Sequence, residues 1–180
     1  AILADQSTIN SEALINSLTM GLVATFIALL LLLLWLEWGP QRRQLWLWLP
    51  ILLPALPLVA GQYTLALWLK LDGSWTAVVW GHLLWVMPWM LFILQPAWQR
   101  IDSRLILIAQ TLGWSRAKIF FYVKCPLMLR PVLIAFAVGF AVGIAQYMPT
   151  LWLGAGRFPT LTTEAVALSS GGSNGILAAQ

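Results

Sequence analysis

The chain has 180 residues, 61% of them hydrophobic and 9% charged, with a mean hydropathy of +0.84 and a formal net charge of +4. A soluble domain carries about 25% charged residues, and a chain this short cannot hide so much apolar surface from water, so lipid is the solvent that suits it. The basic residues sit between apolar runs and form no stripe beside aromatics, which argues against a nucleic-acid partner. The single cysteine, Cys125, rules out an intrachain disulfide.

Four uncharged runs reach the roughly 20 residues that a helix needs to cross the hydrocarbon core. They predict spans at about 13–36, 44–69, 75–96 and 131–153, separated by a long loop over 97–130. The terminal SNGILAAQ reads as the start of a last span from about residue 175, cut off. None of the runs alternates with the period of a strand, so helices are expected. The predicted fold class is an all-α membrane protein, a polytopic helical bundle forming one transmembrane domain over 1–180. The chain begins at Ala1, and no basic segment precedes the first apolar run, which is therefore not read as a signal peptide. A fragment or a processed chain is the expectation.

Charge sets the orientation. Arg42 and Arg43 follow the first span, and Arg100, Arg104, Arg116, Lys118, Lys124 and Arg130 follow the third, against only Lys70 and Arg157 on the other side. The positive-inside rule makes the first side cytoplasmic and puts the N-terminus outside, with Asp5, Glu12, Asp72 and Glu164. Tryptophan favours headgroup level, and Trp35, Trp38, Trp46 and Trp48 flank the first turn while Trp68 and Trp75 flank the second.

The second span carries Pro50, Pro54 and Pro57, followed by Gly61, Gln62, Tyr63 and Thr64, and the third carries Pro88. Each proline removes a backbone donor, and the freed carbonyls need protein or a wet cavity to face. Two readings stand: broken helices around a substrate path, or kinks that improve packing. His82, the only histidine, lies in the third span, and Gln146 and Tyr147 lie in the outer half of the fourth. Intramembrane polar groups of this kind either line a path or bond a neighbouring helix. Gly139 and Gly143 have the spacing of a close helix–helix contact.

The long loop holds seven of the chain's sixteen charged residues between Arg100 and Arg130. Leu105, Ile108, Ala109 and Leu112 fall on one helical face. Asp102 or Ser103 is placed to cap that helix, Gly113 to end it through a left-handed turn, and Ser115 to cap a second helix through Ile119, Phe120 and Val123. Pro126 and Pro131 redirect the chain into the fourth span. Such a loop is either an interfacial helix on anionic membrane lipid or a docking site for a cytoplasmic partner.

Here the sequence resembles the permease subunits of binding-protein-dependent ABC importers of type I architecture. That family carries Glu-Ala-Ala, three residues, Gly, nine residues and Ile-x-Leu-Pro in a cytoplasmic loop. This chain has Leu107-Ile108-Ala109, then Gly113, then Val123-Lys124-Cys125-Pro126 at the same spacing. Ala109, Gly113 and Pro126 match, Val123 replaces Ile, and Leu107 departs from the family's Glu, so no charged contact to the partner is available there. NSLTMGLVAT, LPILLPALPLVAG, GHLLWVMPWMLFIL and TLTTEA are similar to further segments of the family in the same order. The closest likeness is to the branch serving iron(III), thiamine, sulfate and polyamines.

The resemblance implies a multi-pass permease half in a bacterial inner membrane, with the loop as a coupling helix seated on cytoplasmic ABC ATPase subunits. Leu107, Ala109, Gly113, Arg116, Lys118, Val123 and Pro126 would form the docking element. Gln62, Tyr63, His82, Gln146 and Tyr147 are the candidates for the translocation path. The other implied partners are a second permease half, whether in the same chain, a homologous chain or an identical copy, and a periplasmic substrate-binding protein. The sequence has no G-x-x-x-x-G-K-S/T phosphate loop, no nucleophile–base–orienter set and no metal-ligand spacing. The chain is thus expected to bind no cofactor or metal and to be no enzyme, ATP being used by the partner subunit. The alternatives are an intramembrane enzyme built on His82 and a scaffold without transport activity whose loop binds lipid.

Overall fold

The computed structural model describes residues 2–40 and 45–170, and no strand forms among them. Three long helices make the frame: α1 (Ile2–Trp38), α4 (Trp75–Gln99) and α8 (Leu129–Ile144). Between α1 and α4 lie α2 (Leu45–Leu52) and α3 (Ala55–Trp68). Between α4 and α8 lie α5 (Ser103–Thr111), α6 (Arg116–Ile119), a π-helical turn (Phe120–Lys124) and α7 (Cys125–Leu127). The described chain closes with α9 (Met148–Leu153) and α10 (Leu161–Ser170).

Helix α1 shows why lipid is needed. Met20, Ala24, Ala28, Leu32 and Leu36, four residues apart, are buried against the neighbouring helices. Leu18, Leu22, Phe26, Leu30 and Leu34 repeat on another face and are exposed, yet are just as apolar. A helix in water would present polar groups there. Ser11–Trp38 and Trp75–Gln99 are each long and apolar enough to cross a membrane, and 116–127 with 129–144 forms a bent pair, angled by 73°, that also qualifies.

The main core runs down the α1–α4–α8 seam through Leu32, Val86, Met90, Leu91, Leu94 and Ala135, closed by Met128 at the loop end. The seam is tight because it is lined with glycine. A Cβ on Gly143 would sit 3.2 Å from the Cα of Gly21 on α1, and one on Gly139 would sit 2.6 Å from the sulfur of Met90 on α4. These two glycines are therefore packing residues, the role that small residues play between membrane helices.

Two predicted spans are each two helices. The segment 44–69 breaks at Leu53 and Pro54 into α2 and α3. Pro54 precedes the first turn of α3 and Pro57 falls within it, where a missing N–H costs no bond. The segment 131–153 breaks after Ile144, and α9 starts at Met148. Pro149 has no N–H to offer the carbonyl of Ala145, so the α8 ladder ends there. Helix α4, in contrast, continues through Pro88. The last predicted span, together with Arg42 and Arg43, lies outside the described residues.

The frame has two ends. At one, Gly73 N–H donates to the Leu153 carbonyl at 2.8 Å, and Leu161 N–H donates to the Ser17 hydroxyl at 2.9 Å. At the other, Glu37 at the end of α1 meets the loop. Ser17 and Glu37 are about 30 Å apart along an α-helix of ordinary rise.

Candidate coupling loop and membrane path

The loop is a shaped element. Asp102 caps α5, its Oδ1 accepting from Arg104 N–H at 2.9 Å. Gly113 ends α5 at φ +75. Its N–H donates to Gln110 O at 2.9 Å, and Trp114 N–H donates to Ala109 O at 3.1 Å. This pair of bonds is the glycine-dependent helix stop that satisfies the last carbonyls. Nothing lies within 4 Å of a Cβ at Gly113, so backbone conformation alone requires glycine. Ser115 then caps α6, accepting from Lys118 N–H at 3.3 Å.

The second loop helix is short. After Ile119 the chain takes a π turn over Phe120–Lys124, in which Cys125 N–H bonds Phe120 O. The turn sits just before Pro126, whose ring crowds the carbonyl four residues back and cannot donate to it.

On α5, Ala109 faces inward, 5% exposed, while Leu107, Ile108 and Leu112 stand 59%, 58% and 67% exposed. Phe121 and Tyr122 on the π turn are exposed as well, whereas Val123 is half-buried. Lys118 lies 4.6 Å over the Trp114 ring. The predicted docking residues thus lie along one stretch of chain, Leu107 on its open apolar face with Ile108 and Leu112, Ala109 buried and Val123 half-buried.

Arg116 stays 63% exposed but also reaches the buried Glu37 of α1. Its Nε donates to Glu37 Oε1 at 2.8 Å and its terminal nitrogen to the Glu37 carbonyl, while Lys124 Nζ meets Glu37 Oε2 at 2.5 Å. The Glu37 side chain is 1% exposed. Sequence reasoning missed this residue. The available signal was its place as the acidic group closing the first apolar run, opposite a loop rich in cations.

The path candidates divide into two groups. Gln146 and Tyr147 line a cavity of about 200 Å³ with Val59, Trp85 and Met148. Gln62, Tyr63 and His82 do not line it. His82 Nε2 bonds Thr150 Oγ1 at 2.8 Å, and that hydroxyl also donates to Gln146 O at 3.0 Å. Gln62 donates to Gly81 O at 3.4 Å, and Tyr63 packs edge-on against Trp152 at 6.0 Å. The second nitrogen of His82, the Gln62 carbonyl oxygen and the Trp85 N–H are buried without a partner. Among the described residues, no group of three or more His, Cys, Asp or Glu gathers.

Fold and loop together define a polytopic helical membrane protein with a capped basic element beyond one end of its spans. The sequence over residues 43–178 matches the family of binding-protein-dependent transport system inner membrane components, and the chain belongs to that family. It is a family of transport permeases, not of enzymes. The chain is 30% identical over 107 residues to the spermidine/putrescine transport system permease protein PotC homolog of Mycoplasma genitalium, covering 58% of this chain and 37% of that one. It is also 30% identical over 94 residues to the corresponding PotC homolog of Mycoplasma pneumoniae, covering 52% and 32%. The chain thus spans about a third of the length of the curated relatives it matches.

Proposed function

We propose that this chain is the membrane-spanning half of an ABC importer and docks a cytoplasmic ATPase through the 100–130 loop. The observation that carries the reading is the open apolar face of α5, Leu107, Ile108 and Leu112, beyond the end of the α4 span on an element fixed by two caps and a glycine stop. A connector between membrane helices needs only a few residues. An exposed apolar patch on an otherwise pinned element marks an interface. The basic loop side is then cytoplasmic and the amino-terminal side external, where a substrate-binding protein delivers its cargo.

A second permease half completes the path, to which the cavity at Gln146 and Tyr147 contributes, while Gln62, Tyr63 and His82 hold α3, α4 and α9 together beside it. The names of the relatives make a small polycation of the spermidine/putrescine type the first substrate class to assay.

The backbone at Gly113 supplies the test. Proline there cannot reach φ +75 and cannot donate to Gln110 O. The Gly113→Pro variant should lose co-purification of the ATPase and substrate-stimulated ATP hydrolysis while still inserting in the membrane. Wild-type recovery of the ATPase with Gly113→Pro would reject docking through this loop.

A further inference from the structure

The loop's cations serve the first span as well as marking a side. Glu37 lies in the last turn of α1, where carbonyls have no intrahelical donor and the helix dipole disfavours an anion. Both problems are met from the loop. Arg116 bonds the Glu37 carboxylate and its carbonyl, and Lys124 bonds the other carboxylate oxygen. Aromatic rings wrap the cluster: Trp38 of α1 lies 5.9 Å from the Arg116 guanidinium, and Trp98 of α4 lies 4.9 Å from Lys124 Nζ. Phe120 fits between those two rings, 5.2 Å from Trp38 and 6.2 Å from Trp98.

The π turn favours the grip of one carboxylate on both cations. Residues eight apart on an unbroken α-helix are about 80° apart around the axis. A π turn advances less per residue, which returns Lys124 to the Arg116 face. The two contacts also differ. The Lys124 side chain is 13% exposed, whereas that of Arg116 is 63% exposed, and a cavity of about 320 Å³ bordered by both cations and Glu37 separates them from Ile106, Gln110 and Trp114 of α5 and its turn.

We infer that Glu37 is a positioning residue for transport, locking α1 to the loop through Lys124 and Arg116 so that displacement of α5 by a partner moves the first span. The inference rests on the docking reading above, and it concerns a segment that precedes the family match, which begins at residue 43. Leu107 leaves α5 without a carboxylate at its exposed face, and Asp102 is committed to a cap, so among the described residues Glu37 is the acid that pairs with Arg116 and Lys124.

The experiment uses the assembled transporter in proteoliposomes, with three readings: ATPase recovered on purification, rate of ATP hydrolysis, and substrate moved per ATP. Spermidine serves as the probe. Glu37→Gln keeps the shape and removes the charge. It should retain ATPase recovery within twofold and lower substrate moved per ATP at least fivefold. Glu37→Lys should do worse. Combining it with Lys124→Glu, which again sets one anion among two cations, should regain at least a third of wild-type coupling. Unchanged substrate per ATP in Glu37→Gln overturns the inference, as does a double variant no better than Glu37→Lys. If Glu37→Gln does not accumulate, Lys124→Gln, which leaves Arg116 on the carboxylate, is judged by the same ratio and the same limits. Failure of the wild-type chain to recover any ATPase would instead reject the docking reading, and is told apart by that first measurement.

Discussion

Aspartate at both Ile108 and Leu112 is expected to cut recovery of the ATPase more than tenfold. Both side chains are more than half exposed, so the substitutions remove little packing within the chain. Asp102, Gly113 and Ser115, which shape the loop, are untouched. What changes is the docked state, in which two carboxylates would be buried against an apolar partner surface. An unpaired polar group so buried costs about 1–3 kcal/mol on mutational scales, and a carboxylate more, while about 1.4 kcal/mol already changes an affinity tenfold. Quantitative co-purification, with thermal unfolding in detergent as the check on folding, measures this. Recovery within twofold of wild type would show that this face is not the contact.

Leucine at Gly143 is expected to loosen the whole frame. The first carbon of the new side chain would already lie 3.2 Å from the Cα of Gly21, and backbone there has no rotamer by which to yield. Helix α8 must move away from α1 and take its contacts with Met90 and Thr25 at Gly139 along. Forcing extra carbons into a packed seam costs about 1–3 kcal/mol, here without a compensating gain in buried surface. Gly61 provides the control, since nothing lies within 4 Å of a Cβ there and the position is exposed. Gly61→Leu should leave the denaturation midpoint in a mixed-micelle titration nearly unchanged, and Gly143→Leu should lower it clearly. Equal midpoints would remove the glycine seam from the account.

Much of this was legible because it is local. The caps at Asp102 and Ser115 and the stop at Gly113 depend on neighbours within five residues, so residue type and spacing sufficed. Gly139 and Gly143 were legible for a similar reason, since their size matters whatever they meet. The broken second span followed from its prolines, but the break before α9 did not, because Pro149 was read as part of a long apolar run rather than as a missing donor to Ala145. What stayed hidden is long-range. Glu37 finds Arg116 and Lys124 across 79 and 87 residues, and His82 finds Thr150 across 68. A single sequence carries no signal for such pairings beyond complementary charge. The π turn was hidden too, since an apolar and basic run ahead of a proline does not say how the helix will widen. As a result, the bond by which Arg116 holds the loop to α1 was not foreseen.

Site-directed cross-linking from α5 tests the central claim most directly. Cys125 is the chain's only cysteine, so Cys125→Ser gives a background in which a single cysteine at Leu112, 67% exposed, reports alone. Treatment of native membranes with a short thiol–amine cross-linker should yield one adduct whose mass is this chain plus the ATPase, with no adduct from a cysteine at Trp68, which is 82% exposed on α3 near the opposite end. An adduct from Trp68 and none from Leu112 would contradict both the docking surface and the orientation.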